Sequence, residues 1–211
     1  MYKRLLDCYC NGSRHRFLEM LGMYRGLTRK QCVYGIEISQ NGNYPVLCST
    51  PVNIKTDVFK IAKYLNRHQQ RIPKAILNAF AAKVAPLNPP NTFTNFDDYF
   101  DYVSNNSGLK NGNCLLVYDY CLRTGYPDLV SKRYVYLFCG AREGAIAVLG
   151  KVGSFRIETT VLQKALGTTM LSMEIEDFLC VCKAPLHYLA SSCKVAVCPS
   201  GGCGSSASAT K

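Results

Sequence analysis

Apolar residues recur every three or four positions along much of this chain, which is the spacing that places side chains on one face of a helix. Ser13 and Asn95 are candidate helix caps, Pro73 suits a first turn, and Pro185 marks the end of the last helix. The spacing predicts helices at 14–24, twice between Thr56 and Val84, at 96–104, at 115–122, near 145–149, at 160–166 and at 174–182. We therefore expect a mainly α fold.

A minor β element is predicted beside the helices. Residues 32–38 partly alternate between apolar and polar, and the turn signal at 41–43 leads to a possible return strand at 44–48. Pro45 lies in that return strand, where it cannot donate a ladder hydrogen bond. The aromatic and β-branched run at 134–139 suits either a buried strand or the start of a helix.

Length and composition predict one compact domain. The chain has 211 residues, and 48% of them are hydrophobic, which is enough for one substantial core. We expect that domain to cover residues 1–198, with a possible subdivision at the Pro- and Asn-rich stretch 85–95. The Gly- and Ser-rich residues 199–211 cannot form a core and are predicted to be a flexible tail.

The net charge of +11 favours a polyanionic partner, although excess charge also serves solubility. Between Lys55 and Lys83 there are seven Lys or Arg residues and one acid, Asp57. Four of these cations follow helical spacing along one face: Lys60, Lys63, Arg67 and Arg71. A solvated helix face or a stripe that contacts phosphates would each account for this pattern.

Cysteine usage favours a cytoplasmic location for the protein and does not predict a metal site. We expect the 12 Cys to be thiols, because no secretory signal or membrane span is evident in the sequence. Cys114, Cys121 and Cys139 lie in apolar runs and are predicted to be buried. The remaining cluster lacks a C-x-x-C knuckle, so scattered thiols are favoured over zinc: Cys180, Cys182, Cys193, Cys198 and Cys203, with His187 between them. No cofactor is predicted.

A glycine-punctuated turn, Gly108-Leu109-Lys110-Asn111-Gly112, separates two predicted helices. Residues 97–145 resemble the helix-hairpin-helix region of DNA-repair glycosylases, in which such a turn holds DNA phosphates on backbone amides. Gly108 and Leu109 match the first hairpin glycine and its apolar partner, whereas Gly112 stands two residues after the expected second glycine. The resemblance implies Asp128, after Pro127, as the catalytic carboxylate and Lys110 as a Schiff-base lysine. A turn-forming Pro-Asp and a backbone-contacting lysine are the alternatives.

Two function hypotheses follow. The leading one is a DNA-binding protein of helix-hairpin-helix type, possibly a degenerate or divergent base-excision glycosylase; whether a reaction occurs stays open. In it, Gly108, Leu109, Lys110 and Gly112 hold phosphates together with the cationic stripe. The alternative is a non-enzymatic protein-interaction module of a phage or mobile element, whose basic face meets an acidic protein. A wider pattern through residues 117–145 and 174–179 also resembles uncharacterised bacterial proteins.

Overall fold

The computed structural model describes residues 2–25, 27–34, 71–109 and 114–196. Those residues form ten α-helices, one 3-10 turn at Pro90–Thr92 and one two-stranded sheet. The helices are α1 (Lys3–Cys10), α2 (Ser13–Met23), α3 (Arg29–Tyr34), α4 (Lys74–Val84), α5 (Phe96–Asn106), α6 (Cys114–Gly125), α7 (Cys139–Leu149), α8 (Thr159–Leu166), α9 (Ser172–Val181) and α10 (Lys183–Ala196). The strands are β1 (Tyr134–Tyr136) and β2 (Arg156–Glu158). The mainly α prediction is confirmed.

Strand β1 joins two hydrophobic cores. It pairs with β2 in antiparallel register, with Val135 opposite Ile157. Because side chains alternate along a strand, Tyr136 belongs to a core formed mainly by α3 to α6, whereas Val135 belongs to a core formed mainly by α1 and α7 to α10. One short strand therefore fixes the position of both cores.

The first core is rich in aromatic side chains. Phe96 meets Tyr118 and Tyr136 edge-on, with ring centroids 5.9 and 5.6 Å apart. Phe80 from α4 meets Tyr120 from α6 in the same way at 5.5 Å. These edge-to-face contacts, which aromatic rings favour, pack α4 and α5 against α6.

The second core depends on close backbone approach. At Gly144 of α7, an added Cβ would lie 2.2 Å from the carbonyl oxygen of Leu179 in α9, so a larger residue does not fit. Two polar contacts attach the N-terminal helices to α9: the Tyr9 hydroxyl donates to Asp177 at 2.8 Å, and the Arg14 Nε donates to Glu174 at 2.9 Å.

Several predicted helices are confirmed together with their boundaries. Asn95 caps α5, since its side-chain Oδ1 accepts the Asp98 N–H at 2.9 Å. Gly125 is the last residue of α6, and Gly167 ends α8 in the left-handed conformation. Pro73 lies one residue before α4 rather than in its first turn, and its carbonyl accepts the Leu77 N–H at 3.2 Å. The first of the two helices predicted between Thr56 and Val84 lies outside the described residues.

Other predictions need correction. The prediction of a strand at 32–38 is wrong for residues 32–34, because Cys32, Val33 and Tyr34 are the last residues of helix α3. All three side chains are buried, so alternation there does not separate an inner from an outer face. The run at 134–139 forms strand β1 at 134–136, which confirms one of its two predicted alternatives, and its partner strand at 156–158 was not predicted. The return strand predicted at 44–48 lies outside the described residues.

Two proline and cap assignments also fail. Pro185 does not end the helical run, because it falls in the first turn of α10, where no helical N–H bond is lost. Ser13 is the first residue of α2 rather than its cap, and Gly12 precedes it without a side-chain bond.

The buried-cysteine prediction holds at one position and fails at another. Cys121 is fully buried in the first core, as expected. Cys139 is exposed, with φ +40°, because it lies where the chain turns from β1 into α7. The side chain of Cys114 and the predicted tail at 199–211 lie outside the described part. Among the helices described, none combines the length and apolar character needed to cross a membrane.

Candidate nucleic-acid interface

The turn that follows α5 has the conformation that its glycine permits. Gly108 has φ +68°, in the left-handed region that L-residues other than glycine rarely adopt. The Ser107 hydroxyl stabilises the turn, since it donates to the Ser104 carbonyl at 2.9 Å and accepts the Leu109 N–H at 3.1 Å. Leu109 is half-buried against the first core, which matches the apolar partner expected beside a hairpin glycine.

A cation lies beside this turn. A Cβ added to Gly108 would lie 3.8 Å from Cε of Lys83, so the Lys83 side chain runs along the glycine. Lys83 is in the last turn of α4 and is exposed to solvent. The packing of α4 and α5 against α6 therefore places an exposed lysine side chain next to the Gly108 turn.

The described residues include part of the predicted DNA-binding set. Gly108, Leu109 and Arg71 are described, whereas the positions outside the described residues are Lys60, Lys63, Arg67, Lys110 and Gly112. Arg71 is exposed, and its positive charge lies close enough to Lys183 to lower the pKa of that lysine. The hydrogen bond from Lys183 to Glu143, at 2.8 Å, nevertheless raises the pKa of Lys183 overall.

The acidic side chains of the described residues divide into a buried group and an exposed group. Asp119, Glu174 and Glu176 are buried, and Asp177 accepts the Tyr9 hydroxyl. Asp97 is half-buried and accepts hydrogen bonds from Ser131 and Tyr136. Three exposed acids pair with a Lys or Arg: Asp101 with Arg156, Glu143 with Lys183, and Glu158 with Arg133. Seven of the twelve described acids are exposed to solvent: Asp7, Glu19, Asp98, Asp101, Asp128, Glu143 and Glu158.

Exposed cationic side chains are more numerous than exposed acids in the described part of the chain. The exposed cations include Lys3, Arg4, Arg16, Arg25, Lys30, Arg71, Lys74, Lys83, Lys132, Lys151 and Lys164. Exposed cations therefore outnumber exposed acids in the described part of the chain, which favours an anionic partner. Sequence analysis emphasised the stripe between Lys55 and Lys83, but the N-terminal helices contribute exposed cations too.

A cleft lies at the other end of α6. It encloses about 490 Å³ and is lined by Tyr24, Arg25, Leu27, Arg29, Cys32, Pro90, Asn91, Phe93, Arg123, Thr124, Gly125, Tyr126, Asp128 and Leu129. The lining comes from the end of α2, from α3, from the 3-10 turn and from the segment that follows α6. No local sequence motif contains these residues together, so sequence analysis missed the cleft.

Two arginines of the cleft are fixed by backbone carbonyls. Arg29 Nη1 donates to the carbonyls of Val84 and Ala85 at 3.2 and 3.0 Å, and also to that of Leu87. Arg123 is 4% exposed, and its Nη1 donates to the Cys32 carbonyl at 3.1 Å. The Arg123 guanidinium also lies 3.6 Å from Asp119 and 5.1 Å from the ring centroid of Tyr24.

Asp128, the carboxylate that the glycosylase resemblance makes catalytic, is exposed at this cleft. Leu109, the last described residue before Lys110, precedes α6, whereas Asp128 follows its C-terminal end. The 12 residues of α6 span about 18 Å at 1.5 Å per residue. The described geometry therefore gives no support to a site that joins Asp128 to the hairpin.

Buried thiols and acids have perturbed proton affinities. Burial raises the pKa of Cys180 to about 12 and that of Cys182 to about 11, which favours the protonated thiols over the thiolates that bind metal. Within the described ranges, no three His, Cys, Asp or Glu residues are grouped closely enough to hold a metal ion. Burial, with the nearby charges of Asp177 and Asp119, raises the pKa of Glu176 well above its ordinary value.

Comparison with known proteins gives no relative. No family model matches the chain, and neither a curated protein nor a solved structure shows significant similarity to it. The resemblance to the hairpin region of repair glycosylases therefore stays a prediction that rests on residues 97–145.

Proposed function

We propose that this chain binds duplex DNA through the phosphate backbone, in the manner of a helix-hairpin-helix protein. The hairpin between α5 and α6, the exposed cations near it and the predicted stripe Lys60, Lys63, Arg67 and Arg71 form the contact surface. The observation that carries the proposal is the excess of positive charge at the surface, because exposed lysines and arginines outnumber exposed acids among the described residues.

The hairpin geometry supports the same proposal. Gly108 adopts a positive φ, and Leu109 anchors the turn in the first core. Lys83 lies alongside, so a phosphate that approaches the turn meets a flexible cation. Phosphate contacts of this kind position a protein on DNA but carry no sequence information, so we expect binding without strong sequence preference.

The proposal concerns binding and assigns no reaction. A base-excision activity would need a flipped base and a carboxylate beside it. Asp128 and Lys110 remain the residues to replace if lesion-dependent excision is detected. An acidic protein partner is the alternative, and it is favoured by large apolar side chains that stay exposed near α9 and α10, Val181 at 53% and Tyr188 at 73%.

A salt-titrated binding assay tests the proposal. Short duplexes, one undamaged and one with an abasic site, are titrated with the protein at increasing salt concentration. Phosphate binding predicts that log K falls linearly with log salt, with a slope of about −0.9 per contact. Little affinity for either duplex at low salt would refute the proposal and favour the acidic protein partner.

Charge reversal locates the contact surface. The triple variant Lys60→Glu, Lys63→Glu and Arg67→Glu is expected to abolish duplex binding without unfolding the protein. The matched control is Lys164→Glu, an exposed lysine on α8. An affinity that stays unchanged in the triple variant would contradict the stripe assignment.

A further inference from the structure

The cleft at the C-terminal end of α6 has the size and lining of a small-molecule site. Its volume of about 490 Å³ falls within the range of roughly 300–1,000 Å³ that such sites occupy. From this cleft we infer a second binding site, one that takes a nucleoside monophosphate, either as a free nucleotide or as the 5′-terminal nucleotide of a strand.

The charge of the cleft selects an anion. Three arginines line it against one carboxylate, that of Asp128. Arg123 is partly balanced by Asp119, at 3.6 Å, which leaves Arg25 and Arg29 to attract a ligand. Arg25 is exposed and therefore free to move toward a bound phosphate.

The fixed arginine gives the site a defined shape. Arg29 donates one guanidinium nitrogen to the carbonyl oxygens that end α4, so its position is set before a ligand arrives. Those carbonyls hold Nη1, and the other guanidinium nitrogens remain available to an anion. A planar guanidinium held in this way suits the oxygen atoms of a phosphate.

Aromatic rings supply the second part of the lining. Phe93 and Tyr126 are both half-buried at the cleft, so each shows part of its ring to the interior. Phe93 is held by Tyr99 and Tyr102, with ring centroids 5.1 Å away in each case. Flat rings of this kind stack on nucleobases of any sequence.

The combination identifies the ligand class. Inorganic phosphate would use the arginines and leave the rings in contact with water, whereas a nucleoside would use the rings and leave the arginines without an anion. A nucleotide uses both. The cleft lies apart from the Gly108 turn, because the length of α6 separates the two.

Isothermal titration calorimetry on the full chain tests the inference. The ligands are the four 5′-ribonucleoside monophosphates, with adenosine, inorganic phosphate and a 5′-phosphorylated oligonucleotide as separate arms. We expect the monophosphates to bind more tightly than adenosine or phosphate. Tighter binding of the oligonucleotide than of the monophosphates would identify a strand end as the source, and the reverse order would identify free nucleotide.

Two variants and one control separate the parts of the site. Arg25→Glu should weaken nucleotide binding about tenfold or more, since it reverses a charge at the cleft. Phe93→Leu should weaken nucleotide binding but leave phosphate binding unchanged. Lys30→Glu is the matched control, because Lys30 is exposed nearby yet does not line the cleft.

Clear outcomes would overturn the inference. It fails if no monophosphate binds, or if Arg25→Glu binds nucleotide as well as the unmodified chain does. If Arg25→Glu does not fold, the same binding test uses Arg25→Gln, which removes the charge without reversing it. Duplex binding by Arg25→Glu should persist, so failure of the cleft site is distinguishable from failure of the DNA proposal.

Discussion

The two ends of α6 use cations in different ways. At the N-terminal end, Lys83 extends along the Gly108 turn and remains exposed. At the C-terminal end, Arg29 and Arg123 are held by backbone carbonyls. Exposed lysines suit a repeating phosphate backbone, which needs charge but little geometry, whereas fixed arginines suit a ligand of defined shape.

This difference indicates that the positive charge of the chain has two roles. Exposed cations at the surface change affinity and salt dependence when they are replaced, with little effect on folding. Buried or anchored arginines also hold the fold together, because their hydrogen bonds join distant segments. Replacing residues of each kind should therefore separate binding effects from stability effects.

The largest expected effect is at Arg123. Replacing it with Met would remove the charge that pairs with the buried Asp119 and the hydrogen bond to the Cys32 carbonyl. We expect a loss of about 3–5 kcal/mol in the free energy of unfolding, measured by urea denaturation. Lys30→Met, at an exposed position, should change it by no more than about 0.5 kcal/mol. Equal losses in the two variants would contradict the distinction between anchored and exposed cations.

The next effect is a pH dependence caused by Glu176. Burial raises the pKa of this carboxyl in the folded state, so the folded chain binds its proton more tightly than the unfolded chain does. The free energy of unfolding should consequently fall as pH rises above the ordinary glutamate pKa, toward the raised value of the folded state.

Glu176→Gln isolates this contribution, because glutamine has nearly the same shape and no titrating proton. Denaturation across a pH series should show a flatter pH profile for the variant and a higher stability than the unmodified chain near neutral pH. If both proteins show the same profile, the buried glutamate does not titrate as the structure indicates.

A smaller effect is expected at Gly108. Alanine there must adopt a positive φ, which costs about 1 kcal/mol, although its Cβ would make only an ordinary contact with Lys83 Cε at 3.8 Å. Thermal denaturation of Gly108→Ala should reveal that loss. Gly108→Asn is the control, because asparagine tolerates the left-handed region, and it should retain most of the stability.

The smallest effect is at Lys83. Lys83→Glu should leave thermal stability unchanged while it weakens duplex binding and makes the slope of log K against log salt shallower by about 0.9. Lys151→Glu, which reverses an exposed lysine between α7 and β2, is the matched control for net charge. Equal slopes for the two variants would show that the turn makes no phosphate contact of its own.

Helices with local signals were predictable from the sequence. The Asn95 cap, Pro73 before α4 and Gly167 after α8 each act within a few residues, so their effect is visible in the chain itself. Helix α3 was mistaken for a strand because its last three residues are all buried, and burial on every side removes the amphipathic pattern. Strand β1 was one of two predicted alternatives for 134–139, whereas β2 was not predicted, because three residues are too few to show an alternating pattern.

The two candidate sites also differ in how far they could be predicted from the sequence. The Gly108 turn is continuous in sequence and was recognised there. The cleft joins Arg25, Arg29, Phe93 and Arg123, which come together only through packing of α3 against α4 and α6. The inward direction of Glu174 and Glu176 was equally invisible, because alternation of apolar and acidic residues in α9 resembles an ordinary solvated face.

Hydrogen–deuterium exchange with and without duplex DNA tests the central claim most directly. We predict that duplex DNA protects amides in peptides that cover the end of α4 and the α5–α6 hairpin, and that it leaves the peptides around Arg25, Phe93 and Tyr126 unchanged. Protection that is absent from the hairpin at low salt, or that is confined to the cleft, would contradict the assignment of the duplex surface to the N-terminal end of α6.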